Sequence, residues 1–139
     1  MPELNINHLK AMTDDTGMLQ HAIFTVPNRR EGYTTDDNAR ALIFTVLVEY
    51  MEKEWGGQAG LASAKLPHLY LSFLGHAFNP ETRRFKNFLS YDRHWNETEG
   101  SEDCHGRALW ALGTVLGRSE DQGCRGVAGR LFEFSLPQS

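Results

Sequence analysis

The feature that most constrains this chain is that it carries the same pattern twice. Thr34-Thr35-Asp36-Asp37-Asn38-Ala39-Arg40-Ala41-Leu42 aligns without gaps on Ser101-Glu102-Asp103-Cys104-His105-Gly106-Arg107-Ala108-Leu109. The shared form is [Ser/Thr]-x-Asp-x-x-[Ala/Gly]-Arg-Ala-Leu. Upstream, Asp15-Thr16-Gly17-Met18-Leu19 matches Glu81-Thr82-Arg83-Arg84-Phe85, with one residue of difference in spacing. A fixed internal period is the mark of a repeat architecture, in which each unit buries its apolar face against the next.

Each copy reads as a helix, an extended excursion and a second helix. In the first, a short helical segment over about Leu4–Met12 ends at the turn-forming Thr13-Asp14-Asp15-Thr16-Gly17. Met18–Val26 is rich in β-formers and is expected to be closed by Pro27-Asn28, so that Gln20–Val26 forms a hairpin lip or an exposed strand. In the second, Ser63–Phe78 places Leu66, Leu69, Tyr70, Phe73, Leu74 and Ala77 on one helical face, and Asn79-Pro80 stops it. Phe85–Trp95 is the second excursion.

The helices after the excursions differ in kind. Ala41–Val48 and Ala108–Gly113 are apolar nearly all round, which predicts burial on every side and puts Trp110 in the core. Gly56-Gly57 ends the first, and Gly117 lies near the end of the second. The last segment opens on Ser119-Glu120-Asp121-Gln122, which has the form of a capping box, and runs amphipathically through Val127, Leu131 and Phe132. Alternating buried and half-buried helices predict an all-α fold of about five helices in antiparallel hairpins, a partial (α/α) toroid with two short β excursions. The expected organisation is one domain, residues 1–139, of two repeats (about 4–62 and 63–118) and a terminal helix (about 119–135).

Composition bounds the partners. A formal charge of −4 with few basic doublets argues against a nucleic-acid footprint. The longest apolar run is too short to cross a membrane, and no signal peptide is evident, so a cytoplasmic location is expected. Cys104 and Cys124 are expected to be reduced and unpaired, because antiparallel packing of their helices separates them. The six histidines have no ligand spacing, so neither a metal nor another cofactor is expected.

With these residues placed, His8-Leu9 through Gly17, Gly32-Tyr33 through Leu42, Phe88–Arg93 and Ser101 through Gly113 resemble one bacterial family. It is the helical domain found C-terminal to glycosyltransferases, within the six-hairpin glycosidase-like (α/α)6 superfamily. The resemblance implies a toroid with sugar chemistry or sugar binding at the ends of its inner helices. A complete ring needs six hairpins, and this chain holds two and part of a third, so it is expected to be a truncated gene or a piece of a longer protein.

The candidate residues follow from both lines. Asp36/Arg40 and Asp103/Arg107 place opposite charges one turn apart, and an ion pair present in both copies reads first as architecture. Asp36, Asp37, Glu102 and Asp103 are also candidate catalytic carboxylates, since glycosidic cleavage needs two acids flanking the bond. Tyr33, Tyr91 and Trp95 are candidate sugar platforms, with Arg30 and His105 as hydrogen-bonding partners; His105 fits a satisfied polar group as well as a general acid. The expected partner is a saccharide, and apolar sides left open by an incomplete ring predict a homo-oligomer, most simply a dimer. The leading reading is a sugar-binding or inactive fragment of a carbohydrate-active toroid. The alternatives are a self-assembling scaffold module and a small glycoside hydrolase completed across a dimer.

Overall fold

A computed structural model describes residues 12–14, 16–23, 26–55, 65–95 and 100–136. Four helices dominate: α1 (Thr35–Trp55), α2 (Lys65–Ala77), α3 (Glu102–Arg118) and α4 (Gln122–Ser135). Five short strands, β1 (Leu19–Ile23), β2 (Val26–Thr34), β3 (Phe78–Asn79), β4 (Arg84–Phe85) and β5 (Phe88–Leu89), form two small antiparallel sheets in the orders β1-β2-β5 and β3-β4. Apart from Met12, the first expected helix lies outside the described residues, as do Gly56-Gly57.

The helix starts share a device at matching positions of the two copies. The Thr34 hydroxyl accepts from the Asp37 amide at 3.1 Å, capping the head of α1, and donates to Asp37 Oδ2 at 2.7 Å. Ser101 Oγ accepts from the Cys104 amide at 3.2 Å to cap α3. The hydroxyl that opens the repeated pattern is therefore the N-cap. The short hairpin before each excursion repeats too, with Thr13 bridged to Met18 in the first copy and Asn79 paired with Arg84 in the second.

Pair contacts fix how the helices run. Arg107 reaches Asp36 where α1 and α3 begin, while Arg118 lies 5.0 Å over the Tyr50 ring and Lys53 pairs with Glu120 where they end. So α1 and α3 are parallel neighbours. At the opposite layer, His68 meets Asp121 at 2.8 Å where α2 and α4 begin, and Arg83, just beyond α2, donates to the Phe134 carbonyl at 3.3 Å near the end of α4. These two are also parallel, and they run against α1 and α3. Fully buried Ala41, Ala108 and Ala111 provide small side chains where helices approach closely, and Tyr70, Phe73 and Leu74 of α2 fill the space beside them.

Several sequence expectations are corrected. Pro27-Asn28 do not close the first excursion: both lie within β2, where Pro27 faces Ala22, and Ile23 already pairs with Val26. A two-stranded edge tolerates the missing amide of Pro27. Ser119 is the C-cap of α3, and the N-cap of α4 is Asp121, whose Oδ1 accepts from the Cys124 amide at 2.9 Å. The second apolar run is not buried all round. Cys104, Ala108, Ala111, Leu112 and Val115 face inward at helical spacing, whereas Trp110 falls off that stripe and is 61% exposed. Leu47 and Met51 of α1 and Val127 of α4 are likewise exposed. Cys104 and Cys124 are buried free thiols on antiparallel helices. Among the described residues, no helix is long and apolar enough to cross a membrane.

Candidate functional site

The two excursions meet in one sheet, and that meeting organises the residues singled out above. β2 carries Tyr33 and Thr34, which pair with Leu89 and Phe88 of β5. Immediately beyond, the Thr35 amide donates to the Asn87 carbonyl at 2.9 Å and the Asp36 amide to Asn87 Oδ1 at 3.2 Å. The second copy's excursion is thus clipped onto the first turn of α1.

Asp36 sits at the junction of the copies. Its Oδ2 is 3.3 Å from Arg40 Nε within α1, and its Oδ1 is 3.4 Å from Arg107 Nε on α3. The expected ion pair between Asp103 and Arg107 is not formed. Arg107 turns across to Asp36 and lies 5.9 Å from the Trp110 ring centre, leaving Asp103 exposed beside exposed Glu102. The cause is tertiary: Arg107 borders the α1 contact, and a half-buried carboxylate there is a better partner than a solvated one in its own first turn. Asp37 is held by the Thr34 hydroxyl. Of the four candidate carboxylates, Asp36 and Asp37 are bound into the fold and Glu102 and Asp103 face solvent.

The aromatic candidates divide in the same way. Tyr33 is fully buried and donates through its hydroxyl to Asp14 Oδ2 at 2.5 Å. Burial first, and then this carboxylate partner, raise its phenol far above the ordinary tyrosine value. It therefore cannot serve as a ligand platform; its ring instead backs the exposed Tyr91, with centroids 6.3 Å apart and planes 18° from parallel. Arg93 lies over both rings, at 5.4 Å from Tyr33 and 5.0 Å from Tyr91. Trp95, half-buried, donates from Nε1 to His76 Nε2 at 3.2 Å, packs edge-on against Phe73 and has the Lys86 ammonium 5.0 Å from its centre. His105 rests against Phe85, with centroids 5.7 Å apart. The Arg30 side chain lies outside the described residues.

The loop presenting this shelf is shaped by its own bonds. The Ser90 amide donates to the His94 carbonyl at 3.0 Å, the Arg93 amide to the Ser90 carbonyl at 2.9 Å, and Arg93 adopts the left-handed region at φ 69°. Ser90 Oγ donates to Asp92, and that bond, with His94 beside it, lowers the Asp92 carboxyl below its usual range. Sequence reading did not single out Arg93, Asp14 or Asn38. Asn38 stood at an unspecified position of the repeated pattern, among the polar residues Asp36, Asp37 and Arg40 at the start of α1, so nothing local marked it as buried.

No metal-ligand spacing stands along the chain, yet the fold brings His68, Asp121 and Cys124 together, with donor atoms within 4.8 Å of one another. They come from α2, the cap of α4 and its first turn. Comparison of the chain with family models, with curated proteins and with solved structures finds no match.

Proposed function

We propose that this chain is part of a carbohydrate-recognising (α/α) toroid and contributes a sugar-binding rim where α1 and α3 begin, binding rather than cleaving when alone. The observation that carries this reading is the parallel alignment of α1 and α3, clasped at their starts by Asp36 and Arg107. Consecutive hairpins of a ring place successive inner helices in that relation, and the resemblance in the repeated motifs points to a sugar-active ring. At this end the exposed carboxylates of Glu102 and Asp103 can accept hydrogen bonds from sugar hydroxyls. Tyr91 offers a flat apolar face, braced by Tyr33 and Arg93. With Asp36 and Asp37 tied to Arg40, Arg107 and Thr34, the rim has acceptors but no freely placed pair of carboxylates from the first copy for acid–base work.

A second reading, a module that assembles with copies of itself, is favoured by the exposed Leu47, Met51 and Trp110 beside the α1–α3 groove. One set of samples separates the two. In an NMR titration with a panel of neutral oligosaccharides, the first expects amide shifts confined to residues 90–95 and 101–103, abolished by Tyr91→Ala with Glu102→Gln. Absence of shifts there, together with sedimentation at twice the 15.7 kDa chain mass, would reject it for the second.

A further inference from the structure

We propose that His68, Asp121 and Cys124 form a binding site for a divalent transition metal of the zinc class. His68 Nε2 is 2.8 Å from Asp121 Oδ2, and the Cys124 sulfur lies with them inside a 4.8 Å limit. Tetrahedral zinc, with nitrogen and oxygen ligands at about 2.0–2.1 Å and thiolate at about 2.3 Å, holds such atoms roughly 3.3–3.6 Å apart. The imidazole and carboxylate must part by about half an ångström, a movement within reach of a small side-chain rotation. His68 is exposed and adjustable, whereas Asp121 is held as the N-cap of α4 and Cys124 in its first turn.

The donor set selects the metal. Imidazole, carboxylate and thiolate together suit zinc or cobalt, while magnesium and calcium require oxygen cages. Three protein ligands leave a fourth position, and two of them, His68 and Cys124, line an open cavity of about 480 Å³ with Leu71, Ser72, Gly75 and Val127. That is the coordination of a site able to hold a water or a small ligand on the metal, rather than a closed structural one. Glu49 of α1 interacts electrostatically with Asp121, His68 and Cys124, so the surroundings favour a cation. On binding, the Cys124 thiol gives its proton to solvent and His68 coordinates as neutral imidazole, so affinity weakens as the pH is lowered.

Without metal, the same groups form an N-cap with an exposed histidine–carboxylate pair, and a cobalt titration of the reduced, metal-free full chain distinguishes the two. The expected result is one equivalent bound with a thiolate-to-cobalt charge-transfer band, which zinc displaces. Cys124→Ser should abolish that band, Cys104→Ala should leave it intact, and His68→Ala, at an exposed position, should weaken binding at least about tenfold. No charge-transfer band in the native chain, a band that survives Cys124→Ser, or undiminished affinity in His68→Ala would each overturn the proposal.

Discussion

Replacing Asn38 by alanine is expected to lower the stability of the fold by about 3 kcal/mol or more, the largest effect of any single polar substitution at the helix starts. The side chain is fully buried in the first turn of α1. Its Oδ1 accepts from the Met18 amide at 2.7 Å, and its Nδ2 donates to the Met18 carbonyl at 3.2 Å and to the Thr34 carbonyl at 2.8 Å. One amide therefore satisfies both polar groups of Met18 and a carbonyl at the helix entrance. Alanine leaves all three backbone groups buried without that partner and opens a small void. Asn38→Asp would restore only the acceptor and bury a charge, so it should be no better. Urea unfolding with an unchanged m-value and a midpoint loss corresponding to about 3 kcal/mol is the expected outcome. A loss below about 1 kcal/mol would mean that water reaches this junction.

The second large effect is expected at Gly32, and it links the fold to the shelf. Gly32 has φ 71°, a region that disfavours a side chain, and an added Cβ would run into the Leu89 carbonyl oxygen and lie 3.1 Å from Ser90 Cα. Both obstacles are backbone atoms of β5 and the turn after it, so neither can rotate aside. Gly32→Ala should destabilise by about 2–4 kcal/mol, combining backbone strain with overpacking. The displaced turn carries Tyr91, Arg93 and Trp95, so changed tryptophan fluorescence should accompany the loss. If Gly32→Ala unfolds with the native midpoint and native fluorescence, the close approach of β2 to β5 is wrong.

Much of the fold was legible in the sequence because its signals are local. The apolar spacing of Tyr70, Phe73, Leu74 and Ala77 identified the α2 face, and Asn79-Pro80 marked its end. The exposure of Trp110 was legible too, since Ala108, Ala111, Leu112 and Val115 define a stripe that excludes it; reading the run as uniformly apolar hid this. Partner choice was not legible. The spacing of Asp103 and Arg107 permits an ion pair, but whether Arg107 turns inward along α3 or across to α1 depends on which helix lies beside it. For the candidate site, the loop bearing Tyr91 and Trp95 stood out by residue type, while the burial of Tyr33 followed from its place between Asp14 and Phe73. His68, Asp121 and Cys124 converge only through the parallel packing of α2 and α4, which no spacing could reveal.

The equivalent acids of the two copies have parted roles, Asp36 joining the copies and Asp103 facing solvent. Comparing the unfolding free energies of Asp36→Asn and Asp103→Asn tests this division most directly. Asp36 keeps 29% of its side-chain surface exposed, so screening moderates its interactions with Arg40 and Arg107. The expected loss is about 1–2 kcal/mol for Asp36→Asn, against a change within about 0.5 kcal/mol for Asp103→Asn. Equal losses at the two positions, or a larger one at Asp103, would mean that Asp36 does not join the copies.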